Sequence, residues 1–324
     1  MTKNIFITAV GGDIACATLR CIHSGYNYDL IIGCDISSYV QGRTYLDKFI
    51  QAPPYSDEVS YILFIKKVCI KYNITHLLPM SEPEIIIINK YRDWFNENGI
   101  LLMINTSFIL DIAMSKYNTA SYLMQIGIPT PKTYRFDEYA GQLCYPLVVK
   151  ANHGRGSKDV TIVNNDAEYK VVISRIIDPI IQEYIGTPEE EYTMCIFSNG
   201  LETFSLTFKR KLGFGGMSIM VEVANDNRLT EMANIIAQNM NLVGSINVQM
   251  RKDADKYYIF EINPRISSTV GFRHLFGFKD VIWWLQYLDG YKDKINFTLS
   301  ENKVGIKTLG EMLLPSCVDD DNIF

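Results

Sequence analysis

The first third of the chain alternates short apolar runs with segments of helical period, and that alternation restricts the fold more than any other feature. Ile5 to Val10 is a compact apolar run, followed by Gly11-Gly12-Asp13 and a helical stretch through Arg20. A second run, Leu30 to Cys34, ends at Asp35. Helical period returns from Val59 to Tyr72, a third strand from Thr75 to Leu78 stops at Pro79, and a helix from Glu84 to Asn96 leads to Ile100 through Met103. Strands this short and apolar, separated by amphipathic helices, form a parallel sheet covered on both faces. The expectation is a Rossmann-like α/β unit over residues 1–112.

From Ile112 the pattern changes. Ser115 to Gln125 reads as a helix stopped by Gly127, with Pro129 and Pro131 beyond it. Short strands with polar turns follow at Leu147–Lys150, Val160–Val163, Ile180–Tyr184, Tyr192–Ser198 and Thr203–Lys209. A helix from Arg228 to Met240 precedes two more strands, Ser245–Arg251 and Lys256–Ile262. Strands that arrive as sequence neighbours point to an α+β, largely antiparallel unit over residues 113–324.

The strand ending in Glu261-Ile262-Asn263-Pro264-Arg265 carries the sharpest chemical signal. Alternation puts Glu261 and Asn263 on one face, and Gln249 joins them if the preceding strand pairs alongside. One carboxylate and two amide oxygens make a hard oxygen site of the kind Mg²⁺ or Mn²⁺ accepts, completed by phosphate oxygens and water. Arg265 would set a forked cation beside it. The blander reading, a salt-bridged strand end followed by a turn, accounts for these five residues equally well.

Their company tips the balance. Pro146 to Lys150 is a strand that delivers Lys150, and His153, Gly154, Arg155, Gly156, Ser157 and Lys158 follow as a Gly-rich basic loop. Glycine lets backbone N–H groups close on an anion, and lysine adds a point charge for phosphate. An ordinary hairpin turn would need neither Lys150 nor the two further cations. Gln182-Glu183-Tyr184-Ile185 and Glu191 offer backbone and carboxylate groups suited to an adenine and a ribose hydroxyl. Lys209 and Lys211, ahead of Gly213, Gly215 and Gly216, add a second basic segment, for which a solvated charge run is the alternative.

The order Lys116, Lys150, Gly-rich loop, Gln182 to Ile185, Glu191, Gln249, Glu261-x-Asn263-Pro264-Arg265 resembles the ATP-grasp superfamily, and most of all single-copy relatives of the carbamoyl phosphate synthase large subunit. The resemblance implies a Rossmann-like pre-ATP-grasp domain ahead of a two-subdomain ATP-grasp fold, with a lid subdomain over about residues 117–183. It implies phosphate contacts from Lys116 and Lys150, and adenine contacts from Glu183 and the chain at Tyr184 and Ile185. Glu191 would take the ribose, Gln249, Glu261 and Asn263 the magnesium, and Arg265 the transferred group. The reaction implied is ATP-dependent activation of a small-molecule carboxylate as an acyl phosphate, then attack by an amine or similar nucleophile, releasing ADP and phosphate. One grasp unit with neither glutaminase segment nor biotin-attachment motif makes carbamoyl phosphate synthesis by this chain alone an unlooked-for outcome.

Two other classes compete. Val10 to Ala15 with Asp35 downstream invites a dinucleotide-binding oxidoreductase, although the G-x-G-x-x-G spacing is not met. A non-catalytic ATP-binding protein would not need the full transfer apparatus. A net charge of −5 with dispersed cations argues against nucleic-acid or anionic-membrane partners. Seven cysteines without a C-x-x-C pair read as reduced thiols, and no apolar run reaches the roughly 20 residues of a membrane span, so the expected location is cytoplasmic. The apolar helix from Ile282 to Leu288 would serve a homodimer as readily as a core.

Overall fold

The computed structural model describes residues 2–154, 160–300, 302–308 and 310–314. The chain divides into two units, one built on Met1–Ile104 and Arg265–Ser300, the other on Asn105–Pro264 and Glu301–Lys307. The first departs from a simple split at residue 112 because a segment beyond Pro264 returns to it.

In the first unit, strands β1 (Asn4–Ile7), β2 (Leu30–Asp35), β3 (Lys48–Gln51), β4 (His76–Leu78) and β5 (Leu101–Leu102) form a parallel sheet ordered β3-β2-β1-β4-β5. Ile5, Phe6, Ile7, Ile31 and Ile32 have no exposed surface, as central strands covered on both faces require. Helices α1 (Asp13–Gly25), α2 (Glu58–Lys71), α3 (Glu82–Lys90) and α4 (Arg92–Glu97) connect them. The segment read as one helix from Glu84 is therefore two, broken at Tyr91, and β3 is an additional strand. A capping box between Ser81 and Glu84 starts α3. Glu84 is buried and accepts hydrogen bonds from the hydroxyls of Thr8 (2.9 Å), Tyr61 (2.7 Å) and Ser81 (2.6 Å), which tie α3 to the end of β1.

The second unit opens with α5 (Ser107–Ala113) and α6 (Lys116–Gln125), whose Ser115 cap accepts from the Asn118 N–H at 3.1 Å. Strands β6 (Thr133–Arg135), β7 (Leu147–Ala151), β8 (Val160–Val163) and β9 (Pro179–Glu183) make a four-stranded antiparallel sheet, with α7 (Asp166–Ile173) between β8 and β9. Leu147, Val149, Val163 and Ile181 pack against Tyr169, Val172 and Ile173 to give this sheet its own small core. A larger antiparallel sheet contains β10 (Glu191–Asn199), β11 (Thr203–Leu212), β12 (Ser218–Val223), β13 (Val243–Asp253), β14 (Lys256–Asn263) and β15 (Val304–Ile306), ordered β14-β13-β10-β11-β12-β15. Helix α8 (Asn227–Asn239) covers one face, where Leu229, Met232 and Ile236 meet Met194, Ile196, Val248 and Ile262. Leu123 of α6 lies in this core too, so α6 belongs with the larger sheet rather than with the smaller one.

The returning segment carries α9 (Val270–Leu275) and α10 (Asp280–Leu288). Arg273 and Asp280, each with 1% of its side chain exposed, pair at 2.8 Å. Val281, Ile282, Trp284 and Leu285 are buried, and Trp283 packs on Phe278 and Phe297 with ring centres 4.9 and 5.0 Å apart. The apolar helix considered for a homodimer is thus consumed by the core of the first unit. Among the described residues no helix is long and apolar enough to cross a membrane; Cys16, Cys21, Cys34 and Cys69 are free and buried, while Cys144 is free and exposed.

Candidate active site

Strand alternation divides the larger sheet into two unlike faces. Residues such as Tyr192, Met194 and Val248 point toward α8, and the residues between them point the other way. That second face carries Glu191 and Thr193 on β10, Asn247 and Gln249 on β13, and Glu261 and Asn263 on β14. The register sets Thr193 beside Gln249, Gln249 beside Glu261, and Asn247 beside Asn263. Most of these polar groups are buried: Glu191 at 4%, Asn247 at 2% and Asn263 at 6% exposure. A buried polar lane across a sheet is costly unless its members bond one another or a ligand.

Some of those bonds are present. Arg210 on β11 reaches Glu191 at 2.6 Å and the side-chain oxygen of Gln249 at 2.7 Å. Arg251 approaches the other Glu191 oxygen at 3.2 Å and lies 5.5 Å from the centre of the Tyr184 ring. Thr193 donates to Asn247 at 2.9 Å. The buried Nε of Arg210 has no partner, an unfilled donor directed from this cluster.

Glu261 owes its placement to a β-bulge. The register slips between Gln249 and Met250, so that Gln249 faces Glu261 but Met250 faces Ile259, leaving Phe260 without an opposite number. The Phe260 ring centre lies 5.6 Å from the Lys150 ammonium. Lys150 itself is 4% exposed and donates to Gln182 at 2.8 Å. Burial lowers its pKa to about 7; Glu261 opposes that shift, whereas Lys116 and Arg251 add to it. The Lys116 ammonium sits on the loop that follows β7, donating to the Gly154 carbonyl at 2.9 Å. His153 is held there by Met114 O at 2.9 Å, and Gly154 takes a φ of 122° that favours glycine.

The chain then crosses from β9 to β10. Glu183 accepts from the Lys132 N–H at 3.3 Å, and Tyr184 and Ile185 follow the strand. Gly186 fixes the crossing, since a Cβ there would stand 2.7 Å from the Lys252 carbonyl. The structure thus gathers Lys116, Lys150, His153, Gly154, Glu183, Tyr184, Ile185, Glu191, Gln249, Glu261 and Asn263 within the second unit.

Other expected members are elsewhere. Lys209 lies opposite Tyr192, on the α8 side of the sheet, where it pairs with Glu190; Lys211 shares that side by alternation and is exposed. Within the basic run it is Arg210, between them, that enters the polar lane. The sequence held that signal in the strand period, which sends alternate residues of a strand to opposite faces. Arg251 and Asn247 were overlooked for the same reason. Arg265 belongs to the first unit, where Glu82 takes its guanidinium at 2.7 Å. Arg155, Gly156, Ser157 and Lys158 lie outside the described residues.

The donor set fits a small hard cation. Among the described residues no group of three or more His, Cys, Asp and Glu side chains could hold a metal; with Glu191 held by Arg210 and Arg251, the lane offers one further carboxylate, Glu261, and amide oxygens. Such a set binds Mg²⁺ only when an anionic ligand supplies further oxygens. The dinucleotide alternative fares worse. Asp35 accepts from the Gly11 N–H at 2.8 Å and the Ser37 N–H at 3.1 Å, and a Cβ on Gly11 would meet Val40 at 2.9 Å. Those two residues serve the turn itself.

Residues 113–269 match the ATP-grasp domain family, and residues 5–103 match the PylC-like N-terminal domain family. The chain carries an ATP-grasp domain. The carbamoyl phosphate synthase large chain of Campylobacter jejuni is 18% identical over 66% of this chain, which spans 22% of that relative's length. Among solved structures, the chain is similar to N5-carboxyaminoimidazole synthetase from Staphylococcus aureus complexed with ADP, at TM-score 0.73 and 16% identity over 92% of this chain and 81% of the other. It is also similar to the L-amino acid ligase of Bacillus licheniformis, at TM-score 0.71 and 16% identity over 89% and 74% of the two chains. At these identities the structural likenesses establish the ATP-grasp fold.

Proposed function

We propose that this chain is an ADP-forming carboxylate–amine ligase that uses ATP with Mg²⁺ or Mn²⁺. The observation that carries the reading is the buried Lys150, set among Lys116, Arg251 and Glu261. Such a cluster of cations with one carboxylate wants a polyanion accompanied by a metal.

In this reading Lys150 and Lys116 take phosphate oxygens, with His153 and Gly154 at the start of the loop beside them. Glu183 and the backbone of Tyr184 and Ile185 receive the adenine. Each Glu191 oxygen already takes a guanidinium and keeps lone-pair capacity for a ribose hydroxyl. Glu261 anchors the metal with Asn263, and Gln249 joins through the second lone pair of an oxygen that Arg210 holds. When bound, the metal would neutralise charge on the transferring phosphoryl group. The protein supplies no covalent nucleophile; it positions the phosphates, orients the metal ligands and balances charge. The substrates are small-molecule carboxylates and amines.

Phosphate release from Mg·ATP in the presence of pooled carboxylates crossed with pooled amines tests this. Release should require both pools and fall by at least about 100-fold in Glu261→Ala, the scale of losing one main electrostatic contributor. Binding of Mg·ATP without release in any pool would favour a non-catalytic ATP-binding role. Near wild-type release from Glu261→Ala would overturn the site.

A further inference from the structure

The ligase reading gives Arg210 no task of its own, yet its guanidinium sits at the centre of the polar lane. Arg210 on β11 and Arg251 on β13 flank Glu191 on β10, and the register sets Glu191 beside Arg251. The Arg210 side chain is 5% exposed, and its Nη2 donates both to Glu191 at 2.6 Å and to the Gln249 oxygen at 2.7 Å. Its buried Nε has no partner.

A guanidinium only donates, so the Gln249 amide must turn its oxygen to Arg210. That same oxygen is the one assigned to the metal above. A divalent cation on it would share the atom with a fixed positive charge, in a lane poor in water where like charges repel more strongly than in bulk. Withdrawal of Arg210 is no escape. It would strip Glu191, whose side chain is 6% exposed, of one of two guanidinium partners, and a buried carboxylate short of compensation is costly.

The wider charge balance points the same way. Arg210, Arg251 and Lys116 outnumber Glu191 and Glu261 even without the Lys150 charge. Glu261 and amide oxygens do not offset that excess for a small dication. Polyphosphate oxygens do, since they coordinate the metal and pair with guanidinium groups together. The unfilled Nε gives Arg210 a donor for such an oxygen.

We propose that Arg210 makes the metal site conditional on the nucleotide: its charge on Gln249 keeps out a free divalent cation and admits one only with the phosphates. The proposal rests on the assignment of Gln249 and Glu261 to the metal, and adds to it an order of binding in which the metal never enters first.

Electron paramagnetic resonance of Mn²⁺, which counts the ions left free in solution, tests the proposal on the wild type, Arg210→Gln, Arg210→Met and Arg210→Lys. Circular dichroism checks the folding of each. Without nucleotide, the wild type and Arg210→Lys should take up Mn²⁺ weakly. The two neutral variants should take it up at least about tenfold more tightly, and adding Glu261→Ala to either should remove the gain. ADP should raise Mn²⁺ affinity by a larger factor in the wild type than in the neutral variants. Equal uptake of Mn²⁺ alone by the wild type and both neutral variants would overturn the proposal. So would a gain that survives Glu261→Ala, or one that Arg210→Lys shows as fully as Arg210→Gln. The measurements without nucleotide report on Arg210 by itself; failure of ADP to bind any of the proteins, beside a gain in the neutral variants, would instead sink the nucleotide reading.

Discussion

Lys150 carries a pH signature that follows from its surroundings. Its folded-state pKa of about 7 lies below the ordinary lysine value of about 10.4. Between those limits the unfolded chain binds more protons than the folded one, so nucleotide-free protein gains stability as pH rises from about 7 toward 10. Below that window the buried charge destabilises the fold in full. A polyphosphate paired with Lys150 favours the ammonium and raises the pKa, so binding at pH 8 should take up a proton. Calorimetric titration of Mg·ADP in buffers of different ionisation enthalpy should show that uptake, and Lys150→Met should remove it; equal heats in all buffers with the wild type would refute the assignment. Arg273 is a residue of the other kind, buried with Asp280 for structure. Arg273→Ala leaves that carboxylate uncompensated and should cost about 3–5 kcal/mol in denaturant unfolding.

Among the elements, the bulge in β14 decides which face Glu261 presents. Inserting one residue between Gln249 and Met250 would give Phe260 an opposite number and restore plain alternation, turning Glu261 and Asn263 to the α8 side or else Ile259 and Tyr257 out of the core. The expected outcome is loss of the metal requirement for nucleotide binding, read by comparing ADP affinity with and without Mg²⁺; a variant that keeps the requirement would show that the bulge is incidental. The central strands were legible because buried strands are runs of Ile, Val and Leu. Strand β3 was not, since Lys48–Gln51 places only Phe49 and Ile50 between polar neighbours. Helix α7 went unread although Asn165 caps it, for its eight residues bury no side chain completely. The Glu261-to-Arg265 motif was legible as a string, but a bulge is a property of two strands and leaves no mark on one. Lys209 and Lys211 drew attention as lysines, while the strand period favoured Arg210.

For the whole chain, two units carry two kinds of order. The parallel sheet of the first follows from its hydrophobic runs, and the antiparallel sheet of the second turns one face to α8 and the other to buried polar groups that no core requires. Those groups are the reason to expect a nucleotide with its metal in the second unit. The most direct measurement is calorimetric titration of ADP into the wild type and Glu261→Ala, with and without Mg²⁺. The account predicts tight binding to the wild type only with the metal, and little gain from Mg²⁺ in the variant. Absence of ADP binding under every condition, or an equal Mg²⁺ effect in both proteins, would contradict it.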